Sequence, residues 1–218
     1  LLRPEFKQVR SERRVRDGSV KRILVFFGGS DPTNETGKTL RAIQQLTRAD
    51  FAIDVVVGVT NPHYGDIANL CAVLPQAKLF RQVSNMAEMM VNADLSIGAG
   101  GGTTWERCCT GLPSLVWCIA ENQLAIATSA DEIGVCINLG KAENVSAQMI
   151  SNALEGLLNN EKKRLRMNEN SWGLVDGEGV ARVLAAITIK LKISVVSDKA
   201  SWCNEYIPHL LAEWEDVG

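Results

Sequence analysis

The stretch Asp94-Leu95-Ser96-Ile97-Gly98-Ala99-Gly100-Gly101-Gly102-Thr103-Thr104-Trp105-Glu106 decides the fold. It opens on a short apolar run of strand length, passes through four glycines in five residues, and ends on the start of a helical pattern. A strand that runs through glycines straight into a helix is one β–α unit of a parallel sheet. Outward from it the same design repeats. Ile23-Leu24-Val25-Phe26-Phe27 reads as a buried strand stopped by Gly28-Gly29-Ser30-Asp31-Pro32. Further strands are expected at 51–58, 78–81, 114–119 and 135–139. Helices are expected at 34–48, 67–74, 85–91, 103–110, 123–133, 147–158, 161–168 and 178–189. This alternation predicts an α/β protein, a Rossmann-like doubly wound parallel sheet covered on both faces. Its ligand crevice should lie beyond the carboxyl ends of the strands, where both glycine turns sit.

With 218 residues, 46% hydrophobic and 22% charged, and a formal net charge of −2, the chain is globular rather than disordered or fibrous. That charge gives no reason to expect nucleic acid or an anionic membrane as partner. A spanning helix needs about 20 apolar residues, and the longest runs are strand-sized, so a soluble, cytoplasmic protein is expected. Six cysteines without C-x-x-C spacing read as reduced core thiols, and two histidines give no basis for a metal site. No metal or cofactor is expected.

The sequence begins Leu1-Leu2-Arg3-Pro4 and stops at Asp216-Val217-Gly218, and reads as a piece of a longer polypeptide. Residues 1–22, with Arg10, Arg13, Arg14, Arg16, Lys21 and Arg22, read as an irregular solvated linker from an N-terminal domain. Residues 23–190 are expected to form the main domain. At 191–218 a second domain is expected to open, with a strand over 192–196 and a helix over 202–214.

The 98–104 turn lets backbone amides approach an anion without Cβ obstruction, and the following helix directs unpaired N–H groups to the same place. A P-loop would need a lysine that is absent. A dinucleotide fingerprint would follow the first strand, not the fourth. A nucleotide-sugar site remains, with Glu106 reaching a ribose. Thr103-Thr104-Trp105-Glu106 equally matches a capping box, in which Glu106 only satisfies a backbone amide. Trp105, Cys108 and Cys109 are expected on one apolar face. Asp31 is either a helix cap or part of the cleft. Glu121-Asn122-Gln123 offer polar side chains at the same edge, with loop polarity as the plainer explanation. Met86, Met89 and Met90 read as core, and His63 as a surface residue without a carboxylate partner.

The motifs Phe26-Phe27-Gly28-Gly29-Ser30-Asp31, Met86-Ala87-Glu88-Met89-Met90, Gly98–Glu106 through Gly111-Leu112-Pro113, and Ala120-Glu121-Asn122-Gln123 resemble the UDP-sugar hydrolases of pseudaminic acid biosynthesis. Those enzymes release UDP from a diacetamido-trideoxy-altrose. They are similar to the transferase that adds GlcNAc to lipid I, and share its two-domain GT-B fold. The resemblance covers roughly 1–190 and implies the C-terminal, nucleotide-binding half. It implies that Glu106 binds the ribose, that Gly101, Gly102, Thr103 and Thr104 surround the diphosphate, and that Val83 (by its backbone) and Met86 hold the uracil. Gly29, Ser30 and Asp31 would face the cleft, and Glu121, Asn122 and Gln123 the sugar. The family's general base lies on an N-terminal domain, so no catalytic residue is expected here. The partners implied are a UDP-sugar and that N-terminal domain. The tail from Lys192 resembles the first β–α unit of a sugar formyltransferase domain.

Overall fold

The computed structural model describes residues 1–11, 14–47 and 50–198, of which 189–198 are described as backbone. Strands β1 (Arg22–Phe26), β2 (Ala52–Val57), β3 (Ala77–Arg81), β4 (Leu95–Ala99), β5 (Ser114–Cys118) and β6 (Cys136–Lys141) form one sheet, ordered β3-β2-β1-β4-β5-β6. Every neighbouring pair is parallel. The helices are α1 (Pro4–Ser11), α2 (Glu35–Gln44), α3 (Tyr64–Ala72), α4 (Met86–Asn92), α5 (Thr103–Cys109), α6 (Leu124–Ile133), α7 (Ala147–Leu158), α8 (Glu161–Leu174) and α9 (Gly179–Asp198). The Rossmann-like expectation is met.

Strand period explains the layering. On β1, Ile23 and Val25 join Leu40 and Ile43 of α2 and Ile150 and Leu154 of α7 on one face. Leu24, between them, joins Phe6 of α1, Met86 and Met90 of α4, and Cys109 on the other. With both faces covered, the central strands read as continuous apolar runs. Each fully buried aliphatic side chain contributes about 1.5–3 kcal/mol.

The strand order reverses between β1 and β4, which pair directly with Phe26 opposite Gly98. A doubly wound sheet opens its crevice at such a reversal. The Gly28-Gly29 and Gly98–Gly102 turns leave from these two adjacent strands. At Gly98 an added Cβ would lie 2.3 Å from the Phe26 carbonyl oxygen, so only glycine lets the strands approach this closely.

Two expectations are corrected. Residues 1–22 are not an irregular solvated segment. Pro4–Ser11 is a helix with Phe6 in the core, and Arg10, Arg14 and Arg16 act as pins. Arg16, only 8% exposed, donates to the carbonyls of Met90, Val91 and Ala93 at the C-terminal end of α4 and of Thr110 and Gly111 beyond α5. A cation at two helix C-termini satisfies their terminal carbonyls and complements both dipoles. Arg10 adds bonds to the Cys109 and Trp172 carbonyls, and Arg14 pairs with Asp94. Charge density predicted solvent, but guanidinium groups bind buried carbonyls equally well.

The strand expected at 192–196 is helical, because α9 continues to Asp198. No glycine or proline follows Gly179 within it, and β-branched residues lower helix propensity by only a few tenths of a kcal/mol each. The helix expected at 202–214 lies outside the described residues. Helix α8 also outruns its expected end, since its buried positions include Arg164, Asn168 and Ser171, which carry no apolar signal. Among the described residues, the cysteines are buried and unpaired, and no helix is long and apolar enough to cross a membrane.

Candidate functional site

The site is built where β4 hands over to α5. Gly100 N–H donates to the Trp117 carbonyl at 2.9 Å, tying the turn to β5. Thr104 and Trp105 donate back to Gly101 and Gly102 at 2.9 and 3.1 Å, closing the first turn of the helix. Among the described residues, the amides of Gly101, Gly102 and Thr103 have no acceptor. Gly102 is exposed, and a Cβ there would meet nothing within 4 Å. Gln123 packs beside the turn. Its Oε1 accepts from Ile119 N–H at 3.0 Å, and its Nε2 lies 3.1 Å from where a Cβ on Gly101 would stand.

Glu106 is half-buried and does not form the capping box. Gly102, which has no side chain to offer, is the N-cap of α5, and the Glu106 carboxylate accepts no backbone amide. Its partner is Arg3, from the residues leading into α1, at 3.4 Å. Burial raises the Glu106 pKa above the ordinary glutamate range, against a smaller opposing effect of Arg3. Thr104, by contrast, is 1% exposed and turned inward, its hydroxyl accepting from Arg107 at 3.2 Å. Trp105 is 39% exposed and so falls outside the expected apolar face, whereas Cys108 and Cys109 are buried as expected. The buried positions of α5 are Thr104, Arg107, Cys108 and Cys109.

The first glycine turn divides. Gly29 and Ser30 are exposed at the crevice. Asp31 is 1% exposed, and its carboxylate accepts the Glu35 and Thr36 amides, both at 2.9 Å. Asp31 therefore faces the first-turn amides of α2, whose N-cap is Asn34, rather than the cleft. Asp31→Ala is expected to cost about 1–2 kcal/mol of stability in chemical denaturation. UDP affinity should stay within about threefold of wild type, since a tenfold change needs 1.4 kcal/mol at the ligand.

Glu121 is exposed and pairs with Lys141 at 2.9 Å. With Thr33, Cys118 and Glu143 they line a cleft of about 300 Å³ beside the glycine turn. Asn122, next to Glu121 in the chain, is exposed. Larger clefts, of about 520 and 560 Å³, open at the amino ends of the strands around Arg166 and Arg22, away from both glycine turns. Met86 is buried with Met89 and Met90, as core, and Val83 packs partly buried on the same cluster. His63 contacts the Pro32 carbonyl through Nε2 at 2.9 Å. No cluster of metal-binding side chains occurs among the described residues.

Sequence reading missed Arg3, Lys141 and the buried Arg107. Arg107 had a signal in its i+3 spacing from Thr104 on a short helix. The other two meet the site only through tertiary packing.

Residues 23–183 match the glycosyltransferase family 28 C-terminal domain. The chain belongs to that family. Its sequence is 31% identical over 188 residues to the spore coat polysaccharide biosynthesis protein SpsG of Bacillus subtilis (strain 168), covering 86% of this chain and 55% of that protein. The chain thus spans about half the length of this relative. Among solved structures it resembles Acinetobacter baumannii MurG (TM-score 0.66, 17% identity, 84% of this chain, 52% of that one). It also resembles the UDP-GlcNAc 2-epimerase of Neisseria meningitidis bound to UDP-GlcNAc (TM-score 0.63, 18% identity, 85% and 48%). At these identities the likeness concerns the fold, a Rossmann-like half of the GT-B type. The chain is a glycosyltransferase-like domain.

Proposed function

We propose that this chain is the nucleotide-binding half of an enzyme that cleaves a UDP-sugar, with water as the glycosyl acceptor. The observation that carries the nucleotide part is the set of acceptor-free amides at Gly101, Gly102 and Thr103, at the sheet's reversal point. They suit a diphosphate, while Glu106, free of capping duty, suits the ribose hydroxyls. Val83, on the β3–α4 connection, suits the uracil. Gly29, Ser30, Asn122, Gln123 and the Glu121–Lys141 cleft suit the sugar.

In the reaction, a water oxygen bonds to the anomeric carbon as the bond from that carbon to the phosphate oxygen breaks. UDP leaves with the bonding electron pair, and a base on an N-terminal partner domain takes the water proton. This half holds the leaving group, where the amides stabilise the charge that develops.

Family membership favours a second reading, in which the same site passes the sugar to an acceptor. Product analysis on the polypeptide joined to its N-terminal domain separates them. UDP and free sugar formed without added acceptor supports hydrolysis, and acceptor-dependent UDP release supports transfer.

The raised Glu106 pKa has a consequence for pH. The ionised carboxylate accepts from ribose hydroxyls, so affinity falls as pH drops through a pKa lying above the ordinary glutamate range. Uridine, which carries no phosphate, is expected to lose affinity at a higher pH than an exposed glutamate would dictate. A uridine affinity that holds steady until the ordinary glutamate range contradicts the assignment.

A further inference from the structure

Arg107 is 1% exposed and lies behind the glycine turn. Its Nη2 donates to the Ala99 carbonyl at 2.7 Å and to the Thr104 hydroxyl at 3.2 Å. Ala99 ends β4 and Thr104 stands in the first turn of α5, so one guanidinium clasps both ends of the Gly100–Gly102 loop. Its Nη1 lies 3.0 Å from where a Cβ on Gly98 would stand, and its buried Nε has no partner. Among the described residues, no carboxylate lies within ion-pair distance of it. The Glu106 carboxylate, next in the chain, contacts Arg3 instead. Burial pushes the neighbouring Cys108 and Cys136 thiols up to about 11 and about 12, so neither is an anion at neutral pH.

A buried charge without a counter-charge is costly, and a carbonyl and a hydroxyl could be satisfied by a neutral donor. What a neutral donor lacks is a positive field, which acts more strongly through protein than through water. We propose that Arg107 is a positioning residue for the diphosphate, fixing the turn and lending it the positive charge that selects a nucleoside diphosphate over the bare nucleoside. This rests on the nucleotide reading above.

The test compares UDP with uridine by calorimetric titration of wild type, Arg107→Met and Arg107→Lys, with folding checked by circular dichroism. In wild type UDP is expected to bind more tightly than uridine. Arg107→Met is expected to lose at least about tenfold of that preference with uridine affinity unchanged. Arg107→Lys, which keeps the charge, should retain most of it. Equal losses for both ligands in Arg107→Met would make the residue purely structural, and an unchanged preference would remove it from recognition. If Arg107→Met does not fold, Arg107→Lys decides: a folded variant without the preference overturns the role of charge. Wild type showing no preference for UDP defeats the nucleotide reading itself, a separate outcome.

Discussion

Replacing Gly102 by valine is expected to leave the protein folded while lowering UDP affinity about 100-fold or more, the worth of two or three lost charge-assisted hydrogen bonds. Gly102 has φ −56° and ψ −29°, ordinary helical values that valine adopts. Its missing side chain faces open space. The folding cost is therefore limited to a poorer N-cap, about 1 kcal/mol. A branched side chain there would occupy the room the diphosphate needs and stand over the free amides of Gly101 and Thr103. Gly98→Val offers the contrast, because its Cβ would collide with the Phe26 carbonyl and disrupt the sheet itself. Denaturation and UDP titration of Gly102→Val together check the claim. Normal stability with normal affinity would mean that the open space at Gly102 is not where phosphate sits.

Glu106→Ala is expected to weaken UDP binding about 10- to 100-fold, since a hydrogen bond to a charged group is worth about 1.5–3 kcal/mol. Stability should change little. The carboxylate caps no amide, and its pairing with Arg3 is long and partly exposed, worth about 0–1 kcal/mol. The capping box would have produced the opposite pattern, with stability lost and binding kept. Measuring both on one variant therefore separates the two roles that the spacing Thr103-x-x-Glu106 leaves open.

The strands were legible because each is a short apolar run punctuated by glycine, proline or polar turns, and parallel order followed from the helices between them. The same reasoning put the two glycine turns at one edge, and strand pairing then made them neighbours across β1 and β4. What escaped was polar burial. Arg10, Arg14 and Arg16 look like solvent-facing charge in sequence, yet they bind carbonyls at helix ends, a role set by distant segments. Asp31 resisted in another way, because an acidic residue after a glycine turn serves a cap or a ligand equally well. Only its contacts with the Glu35 and Thr36 amides decide. The tail misled for a third reason, since a β-branched run is no barrier to a helix already under way.

The most direct test of the nucleotide site is amide-resolved NMR of the ¹⁵N-labelled protein titrated with UDP and, separately, with uridine. The account predicts that the Gly101, Gly102 and Thr103 resonances move saturably with UDP and scarcely with uridine. If UDP saturates the protein while those three resonances stay in place, the diphosphate lies elsewhere and the assignment fails.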